Sequence, residues 1–267
     1  SGLHKDLDLK VDDSEWLKSL PLGNGSLGAM VFGDVAQERI QLNEETMWSG
    51  SPQQSDNPEA AKNLKRIRQL LFEGKYREAT ELTNRTQICT GLGSGAGLGQ
   101  NIPYGCFQTL GDLWIDFKCK APYTNYYREL DLSTAKATIC YEQNGIKYRR
   151  EVFVSQPDQV MVVRLTADRR GALSFSCRMT RPEHYNTSCE DDQLIMQGSL
   201  DDGKGGTYLN YMARLKALTK GGKVLYRGDS ITISNADEVV LLLSASTDYK
   251  LKYPQYKGRD YINLTRN

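Results

Sequence analysis

From Leu110 onward the chain is a succession of short extended segments separated by turn residues, and this pattern limits the fold more than any other feature. Candidate strands run Leu113 to Phe117, Ala137 to Tyr141, Lys147 to Ser155, Gln159 to Ala167, Leu173 to Thr180, Leu194 to Leu200 and Leu209 to Leu218. Lys223 to Tyr226, Ser230 to Ile233 and Val239 to Ala245 continue the series. Apolar residues alternate at Val152 and Val154 and at Leu173 and Phe175, the period that puts one strand face in a core and the other in water. Asn144-Gly145 is the turn of a two-residue hairpin, and Gly221-Gly222 is expected to join two more strands in the same way. Adjacent antiparallel ribbons of this kind need facing sheets or closure, so the pattern predicts a mainly β fold, a large sandwich, and disfavours a doubly wound α/β fold.

The opening third adds extended segments at Leu27 to Phe32 and Arg39 to Leu42 around the turn-like Gly33-Asp34. A helical insertion is expected over about residues 57–84. Asn57-Pro58-Glu59 supplies a cap, a first-turn proline and an early acidic group, and Ala60, Ala61, Leu64, Ile67, Leu70 and Leu71 recur at helical spacing up to Gly74. Tyr76, Ala79 and Leu82 mark a second helix packed on the first. The run Gly91 to Gly99 is a loop rather than a nucleotide site, because no Gly-Lys-Ser/Thr ends it and no strand-turn-helix context surrounds it. Tyr249, Tyr253, Tyr256 and Tyr261, spread through a lysine-rich tail, read as a linker or, preferably, as an edge that packs against something beyond this chain.

Composition narrows the function classes. With 34 Lys+Arg against 33 Asp+Glu and 39% hydrophobic residues in 267, the chain is neither disordered nor a polyanion binder. No run of about 20 apolar residues appears, so no transmembrane segment is expected, and Ser1 to Lys5 lack the apolar stretch of a signal peptide. The six cysteines contain no C-x-x-C pair and read mostly as buried thiols, although Cys177 and Cys189 are near enough in sequence for a disulfide in an exported protein. The two histidines, His4 and His184, form no H-E-x-x-H motif. Neither a metal nor a cofactor is expected.

Chemistry concentrates in Leu20 to Met30 and Gln41 to Gly50. Asn24 and Asn43 donate and accept hydrogen bonds, Glu44 adds an acceptor and Trp48 an aromatic face, a combination able to orient sugar hydroxyls and cover an apolar ring face. The same residues suit a structural role, with Asn24-Gly25 as a turn, Asn43 and Glu44 tying a loop to backbone amides, and Trp48 closing a core or a domain interface. Glycoside hydrolysis would need two separated carboxyl groups. Glu44 and Glu45 are adjacent and would point to opposite strand faces, while Asp112 and Asp116 flank Trp114 as a solvated sheet face would. Asp201-Asp202-Gly203-Lys204-Gly205-Gly206 lacks the spaced ligands of a calcium loop and reads as a turn.

These two segments also resemble the N-terminal β-sandwich domain of glycoside hydrolase family 95, whose members are chiefly alpha-L-fucosidases. The likeness continues through Asn57-Pro58, Leu70-Leu71-Phe72-Glu73-Gly74, Leu110 to Leu113, Tyr127-Arg128, Leu130-Asp131-Leu132, Arg150 to Ser155, Asp158-Gln159-Val160 and Ala236-Asp237-Glu238. The resemblance implies that residues 1–267 form an N-terminal β-super-sandwich and that the family's catalytic (α/α)6 barrel lies outside this chain. It implies no catalytic residue here. The parent would be a secreted, periplasmic or cell-surface enzyme hydrolysing terminal alpha-1,2-fucosyl glycans with inversion, and some relatives prefer alpha-L-galactose. Its partners would be the missing barrel and a fucosylated glycan. Asn24, Asn43, Glu44 and Trp48 would then lie at an interdomain surface or cleft rim, with the first helix packed on the sandwich. A standalone carbohydrate-binding module centred on Trp48 or Trp114 is the alternative.

Overall fold

The computed structural model describes residues 16–52, 56–89, 105–117, 119 and 121–266. The Gly91 to Gly99 segment lies outside them. Two antiparallel sheets face each other. The first has seven strands in the order β1 (Leu20–Gly23), β2 (Leu27–Val31), β3 (Gln37–Glu44), β4 (Gly111–Phe117), β9 (Leu173–Thr180), β14 (Ser230–Ala236) and β13 (Lys223–Arg227). The second has eight, in the order β10 (Tyr185–Glu190), β11 (Gln193–Asp201), β12 (Thr207–Lys220), β15 (Glu238–Thr247), β8 (Val160–Ala167), β7 (Ile146–Ser155), β6 (Lys136–Gln143) and β5 (Tyr123–Asp131).

The core follows from period-two burial. On β9 Leu173, Phe175, Cys177 and Met179 are all buried while their neighbours are half-buried. They meet inward residues of the other sheet such as Val163, Leu165, Tyr211, Leu215 and Leu241 in one hydrophobic cluster. Asn144 and Gly145 both have positive φ, 52° and 68°, and turn β6 into β7 as the Asn-Gly pair predicts. Gly221-Gly222 does something else. It carries the chain from β12 in one sheet to β13 in the other, where β13 pairs with β14, so the expected hairpin is a crossing between layers.

The insertion forms helices α1 (Pro58–Phe72) and α2 (Tyr76–Thr86). Asn57 caps α1 by accepting from the Glu59 N–H at 2.9 Å, and its Nδ2 reaches the carbonyls of Thr86 and Ile88 at the far end of α2. As the spacing of Tyr76, Ala79 and Leu82 predicts, the helices pack on each other, burying Ile67, Leu70 and Ala79, but the first helix does so rather than lying on the sandwich as the resemblance implies, and Phe72 is 92% exposed. The tyrosine-rich tail folds back on this chain, with Leu251 and Tyr253 left exposed. The carboxylate of Asp248 accepts from Asn210 N and Nδ2 at 2.9 and 2.8 Å, and a final turn, α3 (Tyr261–Leu264), precedes Thr265, which covers Arg214 and Met212 on the outer face of β12. Cys177 and Cys189 are free thiols, Cys177 in the core and the Cys189 thiol donating to the Ser230 carbonyl. Among the described residues no helix is long and apolar enough to cross a membrane.

Candidate functional site

The four residues singled out in the sequence go to different places. Asn24 closes the β1–β2 turn: its Oδ1 accepts from Ser26 N and Leu27 N at 3.0 and 2.8 Å, and its Nδ2 donates to the Ser155 carbonyl at 2.9 Å and Gln159 Oε1 at 3.2 Å. It therefore ties one sheet to the other. Asn43 sits opposite Gly28 in the β2–β3 ladder, and its Oδ1 is buried without a donor among the described residues. Glu44, 2% exposed, ends β3 and accepts from Thr46 N at 2.8 Å and Thr46 Oγ1 at 2.7 Å. Only Trp48 presents a broad surface to solvent: it is 51% exposed, bridges Phe107 through the backbone, and meets that ring edge-on at 5.8 Å.

Trp48 opens onto a groove of about 580 Å³ at one end of the sandwich. One wall is the segment after β3, with Glu45, Thr46 and residues 48–52. The other comes from the start of β12, with Tyr208 and Leu209, and from the tail, with Tyr249 and Tyr256. The first wall is held by backbone bonds from Ser49 N to the Cys106 carbonyl at 2.9 Å and from Gly50 N to the Asp201 carbonyl at 2.6 Å. Gly50 has φ +94°, and a Cβ there would press on Gly105 backbone, so glycine is required. Ser51 Oγ donates to the Asp202 carbonyl at 2.9 Å. The Asp201–Gly206 segment is a turn, with Asp202 Oδ1 accepting from Lys204 N and Gly206 N at 2.7 and 2.9 Å. The second wall is fastened by a hydrogen bond from Tyr208 Oη to the Gln255 carbonyl and by Lys257, which lies over the Tyr208 ring at 5.0 Å and pairs with Asp248 at 3.2 Å.

Among the described residues Glu45 is the one carboxylate lining the groove, oriented by Ser26 Oγ donating to its Oε1 at 3.0 Å. The other carboxylate pair considered is engaged elsewhere. Asp112 pairs with Arg39 at 2.8 Å, Asp116 accepts from Gln37, and Arg39 and Arg178 lie against the rings of a Trp114 only 9% exposed. Trp114 is thus no open platform for a ligand. No cluster of His, Cys, Asp and Glu among the described residues could hold a metal ion. Tyr208 and Leu209 escaped sequence reading because they are ordinary strand residues until the tail folds beside them. Tyr249 and Tyr256 stood out by composition, and the folded tail sets them beside Tyr208 on the wall facing Trp48.

Burial pushes the Glu44 carboxyl above the usual carboxylate range, against the two Thr46 hydrogen bonds and Arg259, which lower it, and with Glu45, which raises it. As pH rises, Glu44 of the unfolded chain ionises first while the folded chain still holds its proton. Stability contributed by the protonated group is present below the ordinary value and lost as pH climbs through the raised one. Urea unfolding across mildly acidic pH should therefore show the wild type losing stability relative to Glu44→Gln as pH rises from about 4. A difference independent of pH would remove burial as the controlling effect.

Residues 9–252 match the family described as glycosyl hydrolase family 65, N-terminal domain. That match corrects the family 95 resemblance. The blocks behind it, including the β1–β2 hairpin and the segment after β3, encode strand ends and turns of a sandwich, and turn chemistry does not discriminate between families built on one. The chain is 32% identical over 261 residues to "Alpha-L-fucosidase 2" of Arabidopsis thaliana, covering 88% of this chain and 29% of that protein. It is 29% identical over 246 residues to "Probable alpha-fucosidase A" of Aspergillus niger, covering 87% and 29%. The chain thus spans less than a third of these relatives. A solved "Putative kojibiose phosphorylase from human microbiome" aligns over 95% of this chain and 32% of its own, at 10% identity and a TM-score of 0.48.

Proposed function

Because the chain belongs to the glycosyl hydrolase family 65 N-terminal domain family, we propose that it is a non-catalytic supporting domain of a longer glycan-degrading enzyme that releases terminal alpha-L-fucose. The observation that carries this reading is that Glu45 is the single carboxylate among the described residues lining the groove, where glycoside hydrolysis by paired carboxyl groups needs two. The names of the two relatives, each more than three times the matched length, support fucose as the sugar and a catalytic domain elsewhere in the polypeptide. On this reading residues 1–267 form one sandwich unit with a helical insertion, and the Trp48 segment is a rim of the catalytic cleft. Asn24 and Glu44 hold that rim in place through the bonds to Ser155 and Thr46. The parent acts outside the cytoplasm, on alpha-1,2-fucosyl bonds and with inversion.

The test is fucose release from 2'-fucosyllactose by this chain beside the full-length parent. Release by the parent alone is expected, with the beta anomer formed first by NMR. Comparable turnover by the chain would overturn the supporting role, and an inactive parent would overturn the substrate.

A further inference from the structure

We propose that the groove beside Trp48 is itself a saccharide-binding site, taking one neutral sugar ring by its apolar face. This rests on the proposed function for its ligand class, and on the groove for everything else. Its volume, about 580 Å³, lies within the range of small-ligand sites. Among the described residues lining it four are aromatic, Trp48, Tyr208, Tyr249 and Tyr256, alongside Leu209 and Pro52. Such walls suit a ligand that is apolar on one face and polar at its edge, since ring carbons give up water to the aromatic surface while hydroxyls stay hydrogen-bonded. The C–H face of a pyranose is such a surface, and the methyl group of a 6-deoxy sugar extends it.

The polar rim selects the same class. Glu45 supplies a carboxylate, an acceptor only, whose Oε1 is fixed by Ser26. Ser51 commits its proton to the Asp202 carbonyl, so its oxygen has lone pairs left for a ligand. A rim carrying these acceptors suits a ligand rich in O–H donors and disfavours an anion. Tyr256 adds an independent sign. It has φ +51°, a left-handed conformation that bulky residues rarely adopt, and backbone bonds from Tyr256 N to Lys252 O at 2.9 Å and from Lys250 N to Tyr256 O at 3.2 Å hold it there. Strain retained on a residue that lines a groove points to a task for that residue.

Titration of the ¹⁵N-labelled chain with 2'-fucosyllactose, followed at the indole N–H of Trp48 and, in every variant, at the backbone amides of Glu45, Thr46 and Ser49–Ser51, tests this. The signal should move saturably, and Trp48→Ala and Glu45→Gln should each weaken binding about tenfold, as loss of a central contact does. The backbone spectrum of each variant reports its fold, and Glu45→Gln keeps an acceptor for Ser26. Absence of a saturable shift up to the solubility limit, or binding indifferent to both substitutions, would overturn the site. The two proposals fail separately. A parent that hydrolyses 2'-fucosyllactose while this chain does not bind it leaves the enzyme reading and removes the groove. An inactive parent with a chain that binds does the reverse.

Discussion

Glu38→Ala is expected to cost about 3–5 kcal/mol of stability, among the largest losses available to a single substitution in this chain. Glu38 lies on β3 and is fully buried; Arg150 lies on β7, in the opposite sheet, and is 1% exposed. Their ion pair crosses the core, with the Glu38 carboxylate also accepting from Phe32 N at 3.1 Å and Gly33 N at 2.8 Å. Arg150 donates to the Asp34 carbonyl at 3.2 Å and lies over the Phe117 ring at 4.9 Å. Removing the carboxylate leaves a guanidinium sealed from water and orphans the Phe32 and Gly33 amides. At roughly 2–4 °C per kcal/mol for a chain of this size, the midpoint should fall by about 10 °C. The pair is nonetheless an imperfect one, since Arg150 Nε and Nη2 are buried without partners. The double variant Glu38→Leu with Arg150→Met should therefore recover most of the loss, because an apolar pair spares the desolvation of both charges. Thermal unfolding of the two single variants and the double variant measures this. A double variant no more stable than either single one would show that the Glu38 bonds to the Phe32–Gly33 turn, rather than the buried charge, are what the fold depends on.

That pair also shows where sequence reading stops. Strands whose two faces meet different surroundings were legible: β9 alternates without a break, and β7 follows an Asn-Gly turn whose φ values leave it one geometry. The strands missed, β1, β5 and β10, are each at a sheet edge. β5 is exposed along most of its length and β10 has no fully buried residue, so neither carries a periodic apolar signal. Layer assignment was hidden for a different reason. Two glycines after β12 look alike whether the chain turns back or crosses over, and the choice is made by β14, which takes β13 as its partner. Among the site residues, Trp48 was visible as an aromatic face beside polar side chains, although the sequence suited it equally to closing a core or a domain interface. Its aromatic companions arrive from β12 and the tail, and nothing near Trp48 in sequence refers to them. Asn24 and Glu44 were visible as unusual polar residues, but their hydrogen bonds are spent on the scaffold.

Gly198→Ala should be comparably damaging, costing about 3 kcal/mol through overpacking rather than lost charge. Gly198 lies on β11 between Tyr185 of β10 and Tyr211 of β12. A Cβ there would overlap the His184 carbonyl oxygen and crowd the Tyr211 hydroxyl. Neither neighbour is free to yield. Tyr211 is fully buried and donates from its hydroxyl to that same carbonyl at 3.0 Å, while His184 has φ +51° and also accepts from Ser199 N. Relief would require β10 to separate from β11 or the Tyr211 ring to leave the core, and either breaks bonds that are satisfied now. Ser199→Ala, at the next position, removes one hydrogen bond from Ser199 Oγ to Asn210 Oδ1 at 2.8 Å and should cost only about 1 kcal/mol. Urea unfolding of both variants separates the causes. Equal losses would mean that β11 is merely sensitive to change, whereas a threefold difference locates the constraint in the space above Gly198. Hydrogen exchange then reports which way the strain is relieved, because opening of the β10 edge exposes the amides of Tyr185–Glu190, while expulsion of Tyr211 exposes those of β12 and β15 at the centre of the sheet.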